Sequence, residues 1–281
     1  MNNRKTLPVL KASSHKIFAL LRCVHDHPFD RDGLREAVLN LYPGRDEKSV
    51  FRGMVIPTLR RLGLIIGYEQ SIRLSANGTL IVTAFDNSES QGLRVLQVVL
   101  LEIDQATAHF TEELEKIGPI AAEQFQDTQV PKIEAPSRNQ SLERVRDWIA
   151  YLSYAGLVCI QDNHLQVNSN NLRQAQADLE VTGKYHFFKY YLFDGYRELV
   201  QRQSSVRSID IEELREKVAV SVYKDKSATI TKNQFDILLT RISHIANEYT
   251  ITFGRSMGPE ENLFILGDKY YQTISIRFTK E

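Results

Sequence analysis

Cysteine is nearly missing from this chain: Cys23 and Cys159 are the only two in 281 residues, too few for a disulfide framework. Both fall in apolar stretches, so buried thiols are expected. Long hydrophobic runs are missing too. Nothing approaches the ~20 apolar residues of a membrane span, and Met1-Asn2-Asn3-Arg4-Lys5 lacks the apolar core of a signal peptide. A cytoplasmic protein with no membrane partner is the expectation. Signatures of chemistry are equally scarce, with no Gly-x-Ser-x-Gly, no Walker-type glycine-lysine loop and no Cys-x-x-Cys pair. Glu213-Leu214-Arg215-Glu216-Lys217 places acids beside a lysine, but on an expected helix, with Glu212 and Glu216 reading as surface charge. In Cys23-Val24-His25-Asp26-His27 only Cys23 and His27 have helical ligand spacing, and no second pair completes four ligands. The chain therefore reads as a non-enzyme with no metal and no cofactor.

Net charge is also absent as a sum, at zero, but its distribution is uneven. Residues 1–85 hold 13 Lys/Arg against 7 Asp/Glu, residues 86–180 hold 7 against 15, and residues 181–281 hold 15 against 13. The first segment is the electrostatic candidate for a phosphate backbone, and the acidic middle would be repelled by one.

What is present is a repeated grammar. Leu59 to Ile65 reads as a helix that ends at Gly63 in the left-handed conformation and turns into a hairpin, Leu64–Gly67 and Ser71–Leu74, around Tyr68-Glu69-Gln70. The same order returns from Ile149 through Gly156 to Val158–Ile160, a turn at Asp162-Asn163, and His164–Val167. Ser75 and Asn168/Ser169 are then placed to cap one more helix. Ahead of the first hairpin, helices are expected over Ser14–His27, from an Asp30 cap with a Phe29/Leu34 staple to Tyr42, and over Asp46–Leu62. Pro57 predicts a kink or a break in the last of these near Met54–Ile56. Its buried stripe is Val50, Met54, Val55, Leu59 and Leu62. Ahead of the second hairpin, expected helices are Ser90–Lys116, with an acidic face at Glu102, Asp104, Glu112, Glu113 and Glu115, then Ile120–Phe125 and Ser141–Ala155. Asp127–Ser137 reads as a loop.

The last hundred residues lack the Leu-Gly-Leu signature, but their helix starts are clearly written. Ile209-Asp210 and Ile230-Thr231-Lys232-Asn233-Gln234 supply caps and staples, with Phe235, Leu238, Leu239, Ile242 and Ile245 as one stripe. Strands are expected at Tyr249–Phe253 and Ile274–Phe278, with a third at Leu263–Leu266.

This organisation resembles the winged helix-turn-helix superfamily. The resemblance implies an α+β, mostly helical chain of tandem winged-helix domains joined by helical linkers: residues 1–88, basic; residues 89–182, acidic, with a linker helix; and residues 183–281, assigned by the order of elements and carrying an enlarged wing. It further implies a binding module whose third helix and wing in the first domain meet double-stranded DNA through Arg45, Lys48, Ser49, Arg52, Arg60, Arg61, Tyr68 and Arg73. The rival expectation is an adaptor or accessory subunit of a multi-protein complex, such as a chromosome-organising ATPase or a defence or nuclease machinery. The aromatic run from Tyr185 to Tyr196 stands apart. Its rings read as packing, with Tyr185, Phe188, Tyr191 and Tyr196 at a domain seam or a self-association surface.

Overall fold

A computed structural model describes residues 7, 9–103, 105–203, 208–255 and 263–279. Met1 to Lys5 and Asp104, used above, lie outside them. The chain is α+β and mostly helical. It divides into two compact units, one of residues 1–74 and 81–177, the other of residues 75–80 and 178–281. The segments 1–88 and 89–182, each carrying one copy of the hairpin, thus have most of their residues in the first unit.

In the first unit the chain opens with α1 (Ile17–Asp26) and α2 (Arg31–Asn40). The Asp30 carboxylate accepts the Gly33 N–H, so the expected cap is made. The staple is not: Phe29 sits at φ 61° and is 61% exposed, because its N–H turns instead to Ile72 O. The third helix begins as a π-helical segment, Lys48–Val55, and becomes regular only in α3 (Ile56–Arg61). Proline explains the change of winding. Pro57 has no N–H for Gly53 O, the i−4 carbonyl, and just before it Ile56 N–H already reaches back five residues to Phe51 O.

β1 (Ile65–Ile66) and β2 (Arg73–Leu74) follow, pairing Ile65 with Leu74. The helix closes on them with a Schellman motif: Gly63 at φ 62° donates to Arg60 O, and Leu64 to Leu59 O, both at 2.9 Å. Leu59, Leu62 and Leu64 are fully buried beneath it.

α4 (Ala76–Asn87) starts at the expected Ser75 cap, whose hydroxyl accepts the Gly78 N–H. The long acidic helix is seen as α5 (Glu89–Ile103) and α6 (Gln105–Ile117), on either side of residue 104. The expected helix at Ile120 starts two residues late. Ile120–Ala121 forms β3, and α7 (Ala122–Gln129) continues into a 3-10 turn, Val130–Lys132, within the expected loop. α8 (Arg138–Tyr154) is capped by Ser137 and ends in the same Schellman geometry, with Gly156 N–H to Ser153 O and Leu157 N–H to Leu152 O. β4 (Val158–Gln161) and β5 (His164–Val167) turn through Asp162 and Asn163, both with positive φ. β3 pairs with β5, giving the order β3-β5-β4. α9 (Ser169–Leu179) follows from Asn168, whose side chain accepts the Asn171 N–H.

In the second unit, α10 (Tyr185–Arg202) leads to β6 (Ile209–Asp210), α11 (Ile211–Lys226) and α12 (Lys232–Arg241). Asp210 caps α11, and Thr231 with Gln234 forms the expected capping box of α12. β7 (Ile245–Ala246), β8 (Tyr249–Arg255), β9 (Phe264–Leu266) and β10 (Lys269–Phe278) build a sheet of order β6-β10-β8-β7, with β9 on β10. Ile245, placed in the α12 stripe by the sequence, is 78% exposed, because α12 ends at Arg241 and Ile245 lies on the edge strand β7.

One charged cluster corrects the reading of Glu212 as surface charge. Arg215 is 1% exposed and Glu212 5%. Arg215 donates to both Asp236 carboxylate oxygens at 2.7 and 2.8 Å and to Glu212 Oε2 at 3.0 Å. The other Glu212 oxygen accepts the Ala76 N–H at 2.8 Å, and Lys232 N–H donates to Asn77 Oδ1 at 2.9 Å. Segment 75–80 is held to this unit by those bonds.

Candidate nucleic-acid interface

Arg45, Lys48, Ser49 and Arg52 are exposed on the entry to and first turns of the π-helical segment, while Val50, Phe51 and Val55 are buried on its other side. Asp46 fixes the start by accepting the Ser49 N–H at 2.8 Å. Lys48 and Arg52 are four residues apart in a helix whose hydrogen bonds span five, so they lie on one flank. Among the described residues Arg45, Lys48 and Arg52 make no ion pair. The neighbouring acid Glu47 is engaged by Arg35 at 3.3 Å.

The remaining cations of the sequence set are spent locally. Arg60 Nη2 donates to Gly67 O at 2.6 Å, and its guanidinium lies 4.4 Å from the centre of the Tyr68 ring. Arg61 Nη1 donates to Val9 O at 2.7 Å. Arg73 is half-buried on β2. Arg60 therefore braces the hairpin tip and presents Tyr68, which is 48% exposed. The tip itself is tight. Gly67 is at φ 81°, a Cβ there would lie 2.0 Å from Ser71 O, and the Ser71 hydroxyl bonds both the N–H and the C=O of Tyr68. Nothing in the sequence signals these engagements of Arg60 and Arg61, because the carbonyls they serve belong to a bent hairpin and to a segment 52 residues away.

Comparison with protein families, with curated proteins and with solved structures found no match.

The other sequence candidates resolve into packing. Phe188, Tyr191 and Tyr196 are buried in the second unit's own core, with Phe188 edge-on to Phe235 at 5.3 Å; of the four rings singled out, Tyr185 alone is exposed, at 40%. The reason is periodic: residues 188, 191, 192, 195 and 196 share one helix face, and that face packs on α11 and, through Phe188, meets Phe235 of α12. Cys23 and Cys159 are half-buried rather than buried, and burial raises the Cys23 thiol above its ordinary range. His27 turns to Asp30, 3.6 Å away, on the next helix start.

The helices that precede the later strands, α8 and α12, carry different side chains. On α8, Arg138 lies 3.5 Å from Asp127, Arg144 donates to Glu134 O and Arg146 to Gln126 Oε1. On α12 the outward residues are Asn233, Ile237, Thr240 and Arg241. No helix among the described residues is long and apolar enough to cross a membrane.

Proposed function

We propose that this chain is a tandem winged-helix protein that binds double-stranded DNA through the segment Arg45 to Arg52 and the Tyr68 hairpin tip. The observation that carries the reading is the exposed trio Arg45, Lys48 and Arg52, unpaired among the described residues and just ahead of a helix that leads into a braced hairpin. Phosphate contacts need cations without acidic partners, and a hairpin tip held in shape can reach the adjacent backbone. The architecture supports it. Helix, short strand, two helices and then antiparallel strands, two after β3 and four after β6, occur in that order in both places, and in both sheets the early strand pairs with the last one. In the first segment the Phe29 N–H bond to Ile72 O stands in the same place.

Fluorescence anisotropy of the full chain with labelled duplex tests it. Duplex binding should weaken with salt with a log–log slope of about −3 if three cations each meet a phosphate. Lys48→Glu with Arg52→Glu should abolish retention. An absence of duplex binding at low salt sinks the proposal.

A second reading is favoured by the middle of the chain, where the arginines of α8 are engaged and Glu112, Glu115, Glu123, Asp127 and Glu143 are exposed. This surface suits a basic protein partner, as in an adaptor, and pull-downs that survive the Lys48→Glu/Arg52→Glu change would support it.

A further inference from the structure

Residues 11–16, ahead of α1, form one wall of an open groove of about 650 Å³, in the range of small-molecule sites. Lys11, His15, Lys16 and Arg45 line it, and Asp147 of α8 is the one carboxylate among its described lining residues. The wall is built rather than loose. Lys11 and Ala12 N–H groups both donate to the buried Thr58 hydroxyl, at 3.0 and 3.1 Å, and Tyr151 OH donates to Ala12 O at 3.0 Å. Lys16 is fixed too, its ammonium bonded to Leu41 O and 4.1 Å above the centre of the Tyr42 ring. By contrast, the side chains of Lys11 and Arg45 make no hydrogen bond or ion pair among the described residues.

We propose that this groove binds a small, multiply charged phosphate ligand of about nucleotide size. Three fixed-charge cations and an imidazole against one carboxylate give a surplus that a single carboxylate ligand would not balance. A guanidinium fork beside two ammonium groups matches the several oxygens of a phosphate or diphosphate. Asp147 sets the pH response. Burial pushes its carboxyl up to about 6, Glu143 acts in the same direction and Lys11 against it. At neutral pH the groove holds one opposing charge, and acid removes it. Arg45 also belongs to the proposed DNA contact, so an occupied groove draws one of that trio's cations to its own ligand.

Calorimetric titration of the full chain with adenosine diphosphate and with inorganic pyrophosphate, at about pH 8 and about pH 5.5, tests the proposal. Both should bind, and wild-type affinity relative to Asp147→Asn should rise in acid, a ratio in which protonation of the ligand's own phosphate cancels. Lys11→Ala, at an exposed side chain, should weaken binding about tenfold. Asp147→Asn should tighten it at about pH 8 and leave it little changed at about pH 5.5, where the native carboxyl is already mostly protonated. Circular-dichroism melts confirm that each variant is folded. A short oligonucleotide that binds through Lys11 where neither small phosphate does would assign the groove to strand phosphates and overturn the small-ligand proposal. Binding of the small phosphates that ignores both Lys11→Ala and Asp147→Asn would overturn it as well. Neither result depends on Lys48 or Arg52, so the duplex experiment can fail independently.

Discussion

Arg215 is a charge that the fold has removed from water, and its worth depends on its partners. Fully buried between Asp236 and Glu212, it satisfies two carboxylates that would otherwise face each other in the second unit; desolvation pushes Asp236 up and the guanidinium opposes the rise. Arg215→Met should therefore destabilise that unit by about 3–5 kcal/mol in urea unfolding, because both buried acids lose the guanidinium they bond. Asp147 shows the opposite sign of effect. Its folded value near 6 lies above the ordinary 3.8, so between those values the folded protein keeps a proton that the unfolded chain has released. The stability this provides is present in acid and lost as pH rises through about 6. Asp147→Asn should raise stability at about pH 8, by on the order of 1 kcal/mol after discounting for its solvent contact, and leave it unchanged at about pH 4. Paired melts at the two pH values check this. Neither group is marked in the sequence, where Glu212, a partner of Arg215, reads as surface charge, because burial depends on what packs over a residue and not on its neighbours in the chain.

Elements were legible in proportion to how local their causes are. Both glycine-terminated helices, the hairpins after them and the caps at Asp30, Ser75, Thr231 and Asp210 follow from side chains within a few residues of the backbone groups they serve. Thr231→Ala, which removes half of a reciprocal box, should cost about 1 kcal/mol in thermal or urea unfolding. Asn163, left-handed at φ 62° in the β4–β5 turn, should accept glycine with a gain of a few tenths of a kcal/mol, read the same way. The strands β3 and β6 are two residues long and owe their existence to β5 and β10, more than forty residues further on, so periodicity had nothing to register. Pro57 did announce a disturbance. That the helix would widen upstream rather than break follows from Phe51 being buried and Ile56 reaching its carbonyl, which only the packed structure reveals.

Across the whole chain, zero net charge conceals a basic beginning and an acidic middle, and the predicted response to salt belongs at this scale. Duplex affinity should depend on Lys48 and Arg52 and fall steeply with salt. Arg60→Ala should act differently, loosening the Tyr68 tip and lowering affinity only a few-fold, since a guanidinium tied to Gly67 O is a brace for the hairpin. Comparing salt slopes separates the two, because loss of a phosphate contact flattens the slope and loss of a brace leaves it unchanged.

The second unit is assembled from two stretches of the chain, and that has a consequence during synthesis. Ala76 and Asn77 leave the ribosome 136 and 155 residues before their bonding partners Glu212 and Lys232. At roughly 5–20 residues per second, segment 75–80 waits on the order of ten seconds without its partners. The second unit can close only after β10, which ends at Phe278, has been made, and a ribosome stalled before residue 212 would hold a nascent chain in which that segment has nowhere to dock.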